Sequence, residues 1–209
     1  MEMLEFENTS ALDIALAEKV VAMLAADIES TGTGSLVVSG GRTPMGFFHL
    51  LSQQQLDWNA VTITLADERW VDNQHKDSNE KLVRENLLIN EAHRAHFIVL
   101  KNSAADATDG EADLEHALAS VGPFTVVILG MGDDGHTASL FPGAEALALG
   151  LDMNSGRTAI AVTPTEAPHQ RISMTLPRLL DSKQIIIHIS GAGKQTVLQA
   201  AQAGEDIAE

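Results

Sequence analysis

Apolar positions along the chain fall into two alternating patterns. Near the N-terminus, Leu12, Leu16, Val20, Met23 and Leu24 recur at helical spacing and predict one buried helix face. Ser10, with Asp13 three residues on, reads as the capping box of that helix. Short apolar runs rich in β-branched residues follow at 36–38, 61–65, 97–100, 125–129, 159–162 and 185–189. Short runs of this kind predict buried parallel strands. Helical stretches at 45–51, 79–88, 111–119 and 195–203 separate most of them. The alternation predicts an α/β fold, a doubly wound, mostly parallel, Rossmann-like sheet flanked by helices. The 209 residues contain no repeat, no low-complexity segment and no convincing linker, so one domain over 1–209 is expected.

In such sheets a ligand sits beyond the carboxyl ends of the strands. The residues with chemistry follow the predicted strands here. The run at 36–38 leads into Ser39-Gly40-Gly41-Arg42-Thr43-Pro44, in which Thr43 reads as an N-cap and Pro44 as the first helical residue. The glycines admit a ligand close to the backbone, and the helix N-terminus offers N–H groups to an anion. A plain strand–turn–helix corner would use the same residues. The run at 61–65 leads into Asp67-Glu68-Arg69-Trp70. Arg69 there either forks a phosphate or is neutralised by Asp67 or Glu68. Ser78-Asn79-Glu80 marks another helix start.

The most specific stretch follows 125–129 and runs from Gly130 through Gly132-Asp133-Asp134-Gly135-His136-Thr137 to Gly143. Its glycines allow a sharp turn with N–H groups facing a cleft. His136 stands beside Asp133 and Asp134, and a nearby carboxylate fixes an imidazole's tautomer and stabilises its protonated form, as a general base requires. Arg171 ends a Pro-containing loop over 163–168. Ser190-Gly191-Ala192-Gly193-Lys194 imitates a nucleotide-binding phosphate loop. The match fails at His188, where the first glycine belongs, and at Gln195 after the lysine. Lys194 is either a solvated helix-start lysine or, since the positive end of a helix disfavours it, the partner of an anion.

Composition then narrows the chemistry. The absence of cysteine removes disulfides, zinc–thiolate sites and a cysteine nucleophile. A formal charge of −16 disfavours nucleic acid as a partner and obliges any anion site to gather its cations locally. No apolar run is long enough for a bilayer, and no basic segment leads into an apolar one at the start. A cytoplasmic protein with no membrane partner is expected. No Gly-x-Ser-x-Gly elbow and no His-Glu-x-x-His pair occurs, so neither a serine esterase nor a metal is expected. The Gly-x-Gly-x-x-Gly match at 130–135 lies late in the chain, and its two aspartates oppose a pyrophosphate.

Taken in order, Ser39-Gly40-Gly41-Arg42-Thr43-Pro44, Asp67-Glu68-Arg69, Ser78-Asn79, the glycine–histidine stretch, Arg171-Ile172-Ser173-Met174-Thr175 and Gly191-Ala192-Gly193-Lys194 resemble the 6-phosphogluconolactonase family. The long glycine–histidine stretch is highly specific; the others alone are weak. The related amino-sugar-phosphate isomerase/deaminases share the fold and the Gly-His turn. They carry Asn where this chain has Asp134, and Ile-Ala-Phe-Asn where it has Thr137-Ala138-Ser139-Leu140. The resemblance implies a cofactor-free, monomeric hydrolase of 6-phospho-D-glucono-1,5-lactone, acting at the second step of the oxidative pentose phosphate pathway. It implies His136 as general base with Asp133 and Asp134 beside it, and Arg69, Arg171 and Lys194 as anchors for phosphate and sugar oxygens. Gly40, Gly41, Arg42, Thr43, Asp67 and Gly132 would line the pocket, with N–H groups of the turn holding the oxyanion. Glu166 stands where many relatives carry a basic residue, so no phosphate contact is expected there. The family pattern also leads one to expect one more helix and strand than remain before Glu209. Two alternatives share the fold: the isomerase/deaminase, which would release ammonia, and a non-catalytic sugar-phosphate sensor, which would not need His136.

Overall fold

The computed structural model describes residues 2–204. Met1 and residues 205–209 lie outside them. Among the described residues eight strands form, β1 (Gly34–Val38), β2 (Val61–Leu65), β3 (Asp67–Arg69), β4 (His96–Ile98), β5 (Val126–Leu129), β6 (Ala159–Val162), β7 (Arg171–Met174) and β8 (Ile185–Ile187). The helices are α1 (Thr9–Thr31), α2 (Met45–Ser52), α3 (Asn79–Asn86), α4 (Ala107–Leu118), α5 (Leu147–Leu151), α6 (Leu176–Leu180) and α7 (Ala192–Gln202). Five strands make one sheet in the order β4-β2-β1-β5-β8, and every pairing in it is parallel. The strand order turns back between β1 and β5, which opens a crevice beyond their carboxyl ends.

Three further strands make a separate antiparallel sheet in the order β3-β7-β6. Here the sequence expectation needs correcting. The run 159–162 is a strand, but an antiparallel one outside the main sheet. Asp67–Arg69, expected as a loop, and Arg171–Met174, for which no strand was expected, are its partners. Their charged and polar residues hide them from an apolar-run criterion, whereas their pairing comes from backbone hydrogen bonds. Ala66 joins the two sheets: its N–H donates to Val38 O at 2.9 Å and its carbonyl accepts from Met174 N at 2.8 Å.

Strand β1 and strand β5 are buried along almost their whole length, as their unbroken apolar runs require. Phe47, Phe48, Leu51 and Trp58 are fully buried in the same core, each contributing about 1.5–3 kcal/mol by leaving water. The start of α1 differs from the expected capping box. Asn8 is the N-cap and its Oδ1 accepts from Ala11 N at 2.9 Å. That places Asp13 one turn inside the helix, out of reach of the cap, and buries it. Burial raises its carboxyl, against the lowering effect of the Phe47 N–H in the first turn of α2. Among the described residues no helix is long and apolar enough to cross a membrane.

Candidate active site

The loops that leave β1, β5 and β8 converge with β3 and β7 around a cleft of about 300 Å³. Gly40, Gly41, Thr43, Asp67, Arg69, Gly132, His136, Arg171 and Lys194 all line it. Arg42, Asp133 and Asp134 do not, and Arg42 is exposed. The turn carries Arg42 out to solvent beside the cleft. Thr43 does not cap α2. Pro44 occupies the N-cap position with φ −79°, no side chain caps the helix, and Met45 is its first residue. Gly40 is needed for close approach, because a Cβ there would lie 1.8 Å from Asn79 Oδ1.

The glycine-rich turn builds the histidine. His136 Nδ1 lies 2.5 Å from Asp134 Oδ1, which also accepts from His136 N at 3.2 Å. A carboxylate only accepts, so Nδ1 carries a proton, and in the neutral ring Nε2 keeps the lone pair. Partial burial pushes the Asp134 carboxyl upward, but the hydrogen bond and charge of His136 outweigh it and hold the group below its usual range. The pair rests on Gly132, where a Cβ would stand 2.3 Å from both Asp134 Oδ1 and His136 Nδ1. The imidazole stacks on Phe141 with centroids 4.1 Å apart. Asp133 plays a different part from the one expected: its side chain is 95% exposed and pairs with Lys194 Nζ at 2.8 Å. Two N–H groups expected to face an oxyanion are used inside the turn, Gly132 N toward His136 O and Gly135 N toward Gly132 O.

The cations come from the small sheet. Register pairs Arg69 of β3 directly with Arg171 of β7. Arg69 Nη1 donates to Asp77 O at 2.6 Å, so neither neighbouring acid neutralises it. Arg171 is buried, yet its Nε and Nη1 have no hydrogen-bond partner among the described residues. Burial pushes its guanidinium below the usual range and the charge of Arg69 adds to that, while Asp67, Glu68 and Asp77 oppose it. A buried guanidinium with unused donors beside a second arginine is a site short of an anion. Glu68 is spent on structure: its buried carboxylate accepts from the N–H groups of Arg69, Asn79 and Glu80 and from Ser78 Oγ, capping α3. Burial raises its carboxyl, against the lowering effect of those N–H groups.

Several cleft residues escaped the sequence reading. Ser139 Oγ donates to Asp67 Oδ2 at 2.5 Å, and Ser139 N donates to Ser173 Oγ at 3.1 Å. Asn79 Nδ2 holds Asp67 O at 2.9 Å. These serve to position Asp67; Asn79, Ser139 and Ser173 stood inside stretches that carry the resemblance, but none had been given a role. His188 also lines the cleft and lies 3.7 Å from the buried Asp13.

Comparison with known proteins adds the following. The family model for glucosamine-6-phosphate isomerases/6-phosphogluconolactonase matches residues 7–209. A 6-phosphogluconolactonase of Rhizobium meliloti (strain 1021) is 46% identical over 205 residues, 98% of this chain and 88% of the relative. One from Pseudomonas putida is 41% identical over 205 residues, 98% of this chain and 85% of the relative. The crystal structure of a 6-phosphogluconolactonase from Shewanella baltica OS155 superposes with a TM-score of 0.93 at 44% identity, covering 97% of this chain and 87% of the other. A monomeric glucosamine-6-phosphate deaminase, 18% identical with a TM-score of 0.79, shares the fold.

Proposed function

The chain belongs to the glucosamine-6-phosphate isomerase/6-phosphogluconolactonase family, and on that premise we propose that it hydrolyses 6-phospho-D-glucono-1,5-lactone to 6-phospho-D-gluconate, as a cytoplasmic, single-domain monomer. The observation that carries the reading is the pairing of a free imidazole nitrogen with an unsatisfied guanidinium across one cleft. Asp134 accepts a hydrogen bond from Nδ1–H of His136, and Arg171 offers donors that nothing among the described residues accepts.

The substrate phosphate docks on Arg69, Arg171 and Lys194, displacing Lys194 from its rim pair with Asp133. That fixes the lactone carbonyl near His136. Nε2 takes a proton from water as the water oxygen bonds to C1. The tetrahedral oxyanion develops within the field of the same cations. The C1–ring oxygen bond then breaks, and the proton on Nε2 passes to the ring oxygen. Water adds across one bond and no redox partner is required. A lactone is already a reactive ester, so general-base catalysis of roughly 10²–10⁴-fold together with positioning accounts for useful turnover.

The test is acid release from freshly made 6-phosphogluconolactone, corrected for spontaneous hydrolysis, with His136→Ala and His136→Gln as variants. Wild type should turn over and both variants should lose roughly 10²-fold or more while still binding 6-phosphogluconate. Near-wild-type turnover in either variant, or ammonia release from an amino-sugar phosphate as the main activity, would sink the proposal.

A further inference from the structure

Two loops beside the Arg69–Arg171 pair bring together three metal-ligating side chains that the lactonase mechanism does not use. His75 and Asp77 lie in the loop leaving β3, and His169 lies in the loop entering β7. The register that sets Arg69 against Arg171 thus also juxtaposes residues 92 apart in the chain. Asp77 Oδ2 stands 3.2 Å from His169 Nε2 and 3.7 Å from His75 Nδ1. All three ligand atoms lie within 4.8 Å of one another. The imidazoles meet edge-on with centroids 5.3 Å apart. His169 holds a left-handed φ of 71°, which few residues with a Cβ adopt.

We propose that His75, Asp77 and His169 bind one divalent transition ion of the zinc class and so clamp the two loops to each other. Around such an ion, with bonds of about 2.0–2.1 Å, tetrahedral ligand atoms sit about 3.3–3.4 Å apart. The 3.2 and 3.7 Å spacings bracket that value, and rotation of the His75 ring closes the remaining one. Two imidazole nitrogens and one carboxylate suit zinc, cobalt or nickel. Magnesium and calcium need more oxygen ligands than the single carboxylate here. The side chains are 29–38% exposed, so an ion arrives from solvent and water completes its shell. Binding displaces the 3.2 Å hydrogen bond from Asp77 N to His75 Nδ1. Arg69 and Lys76 lie nearby and oppose a cation, but Arg69 engages the carbonyl of Asp77, which leaves the carboxylate to the imidazoles.

The full chain, stripped with chelator and dialysed, is titrated with Zn²⁺ against a chromophoric chelator and separately with Co²⁺ while absorption is followed. One tight equivalent per chain is expected, with the visible bands of four-coordinate cobalt. At a hundredfold excess over Kd the melting temperature should rise by roughly 5–10 °C. His169→Ala and His75→Gln should each lose the bands and more than about tenfold in affinity, since even outer partners of a metal ligand are worth that much. His49→Ala, at an exposed helix position, should keep both. His75→Gln keeps the test decisive should His169→Ala fail to fold. Absence of a stoichiometric site, or a site that persists undiminished in a folded His75→Gln or His169→Ala protein, overturns the proposal.

Discussion

Replacing Arg171 by Met should make the free protein more stable and the enzyme worse. Arg171 is 5% exposed, pairs in register with Arg69 across β3 and β7, and leaves Nε and Nη1 unpartnered among the described residues. A buried unsatisfied donor costs about 1–3 kcal/mol, more when charged. Met has nearly the same reach and no donor to leave unmet, so Arg171→Met should recover about 1–3 kcal/mol. For a chain of this length that is a rise of roughly 2–12 °C in melting temperature. The same substitution removes charge-assisted bonds to phosphate at about 1.5–3 kcal/mol each. Each bond lost should lower kcat/KM roughly ten- to a hundredfold for the phosphorylated lactone. Unphosphorylated gluconolactone, with nothing for Arg171 to hold, should change little. Differential scanning fluorimetry without ligand, and acid release on both substrates, read the two halves separately. A variant that melts lower than wild type would mean that the guanidinium is a structural strut. An unchanged ratio of kcat/KM between the substrates would mean that phosphate is not its ligand.

Asp134→Asn should cost roughly 10–100-fold in kcat by disturbing the tautomer of His136, whereas Asp133→Asn, on the exposed partner of Lys194, should keep turnover within a few-fold; steady-state kinetics on both variants decides which aspartate serves the base. Gly40→Ala drives a Cβ to 1.8 Å from Asn79 Oδ1, so it should cost about 1–3 kcal/mol in denaturant unfolding and raise KM, unless the loop moves without penalty. Burial pushes the His188 imidazole from 6.5 down to about 4. The unfolded chain therefore takes up a proton that the folded chain refuses, and His188 withdraws up to about 3 kcal/mol of stability as pH falls from 6.5 through 4. The buried Asp13 carboxyl, raised by burial, acts in the opposite sense, so unfolding is best compared between Asp13→Asn and Asp13→Asn/His188→Gln across that range; identical pH slopes would refute the assignment.

Much of the framework was legible in the linear pattern. A strand buried on both faces is rich in apolar and β-branched residues, and this marked β1, β2 and β5 to within a residue or two. A sharp turn that carries a base has to be rich in glycine, and this marked the stretch around His136. Both are local requirements, imposed by backbone geometry and side-chain period on residues close in the chain. What the pattern left undecided depends on partners far apart. Asp133 and Asp134 are adjacent and chemically identical, and only the folded turn, with Gly132 beneath it, sends one to His136 and the other to Lys194. The small antiparallel sheet was invisible because Asp67-Glu68-Arg69 is held by backbone pairing with β7 rather than by an apolar run. Its register set two arginines side by side, left one of them without an acceptor, and drew His169 onto Asp77. No local propensity specifies such contacts, because each depends on how two separately folded segments are aligned by the core beneath them.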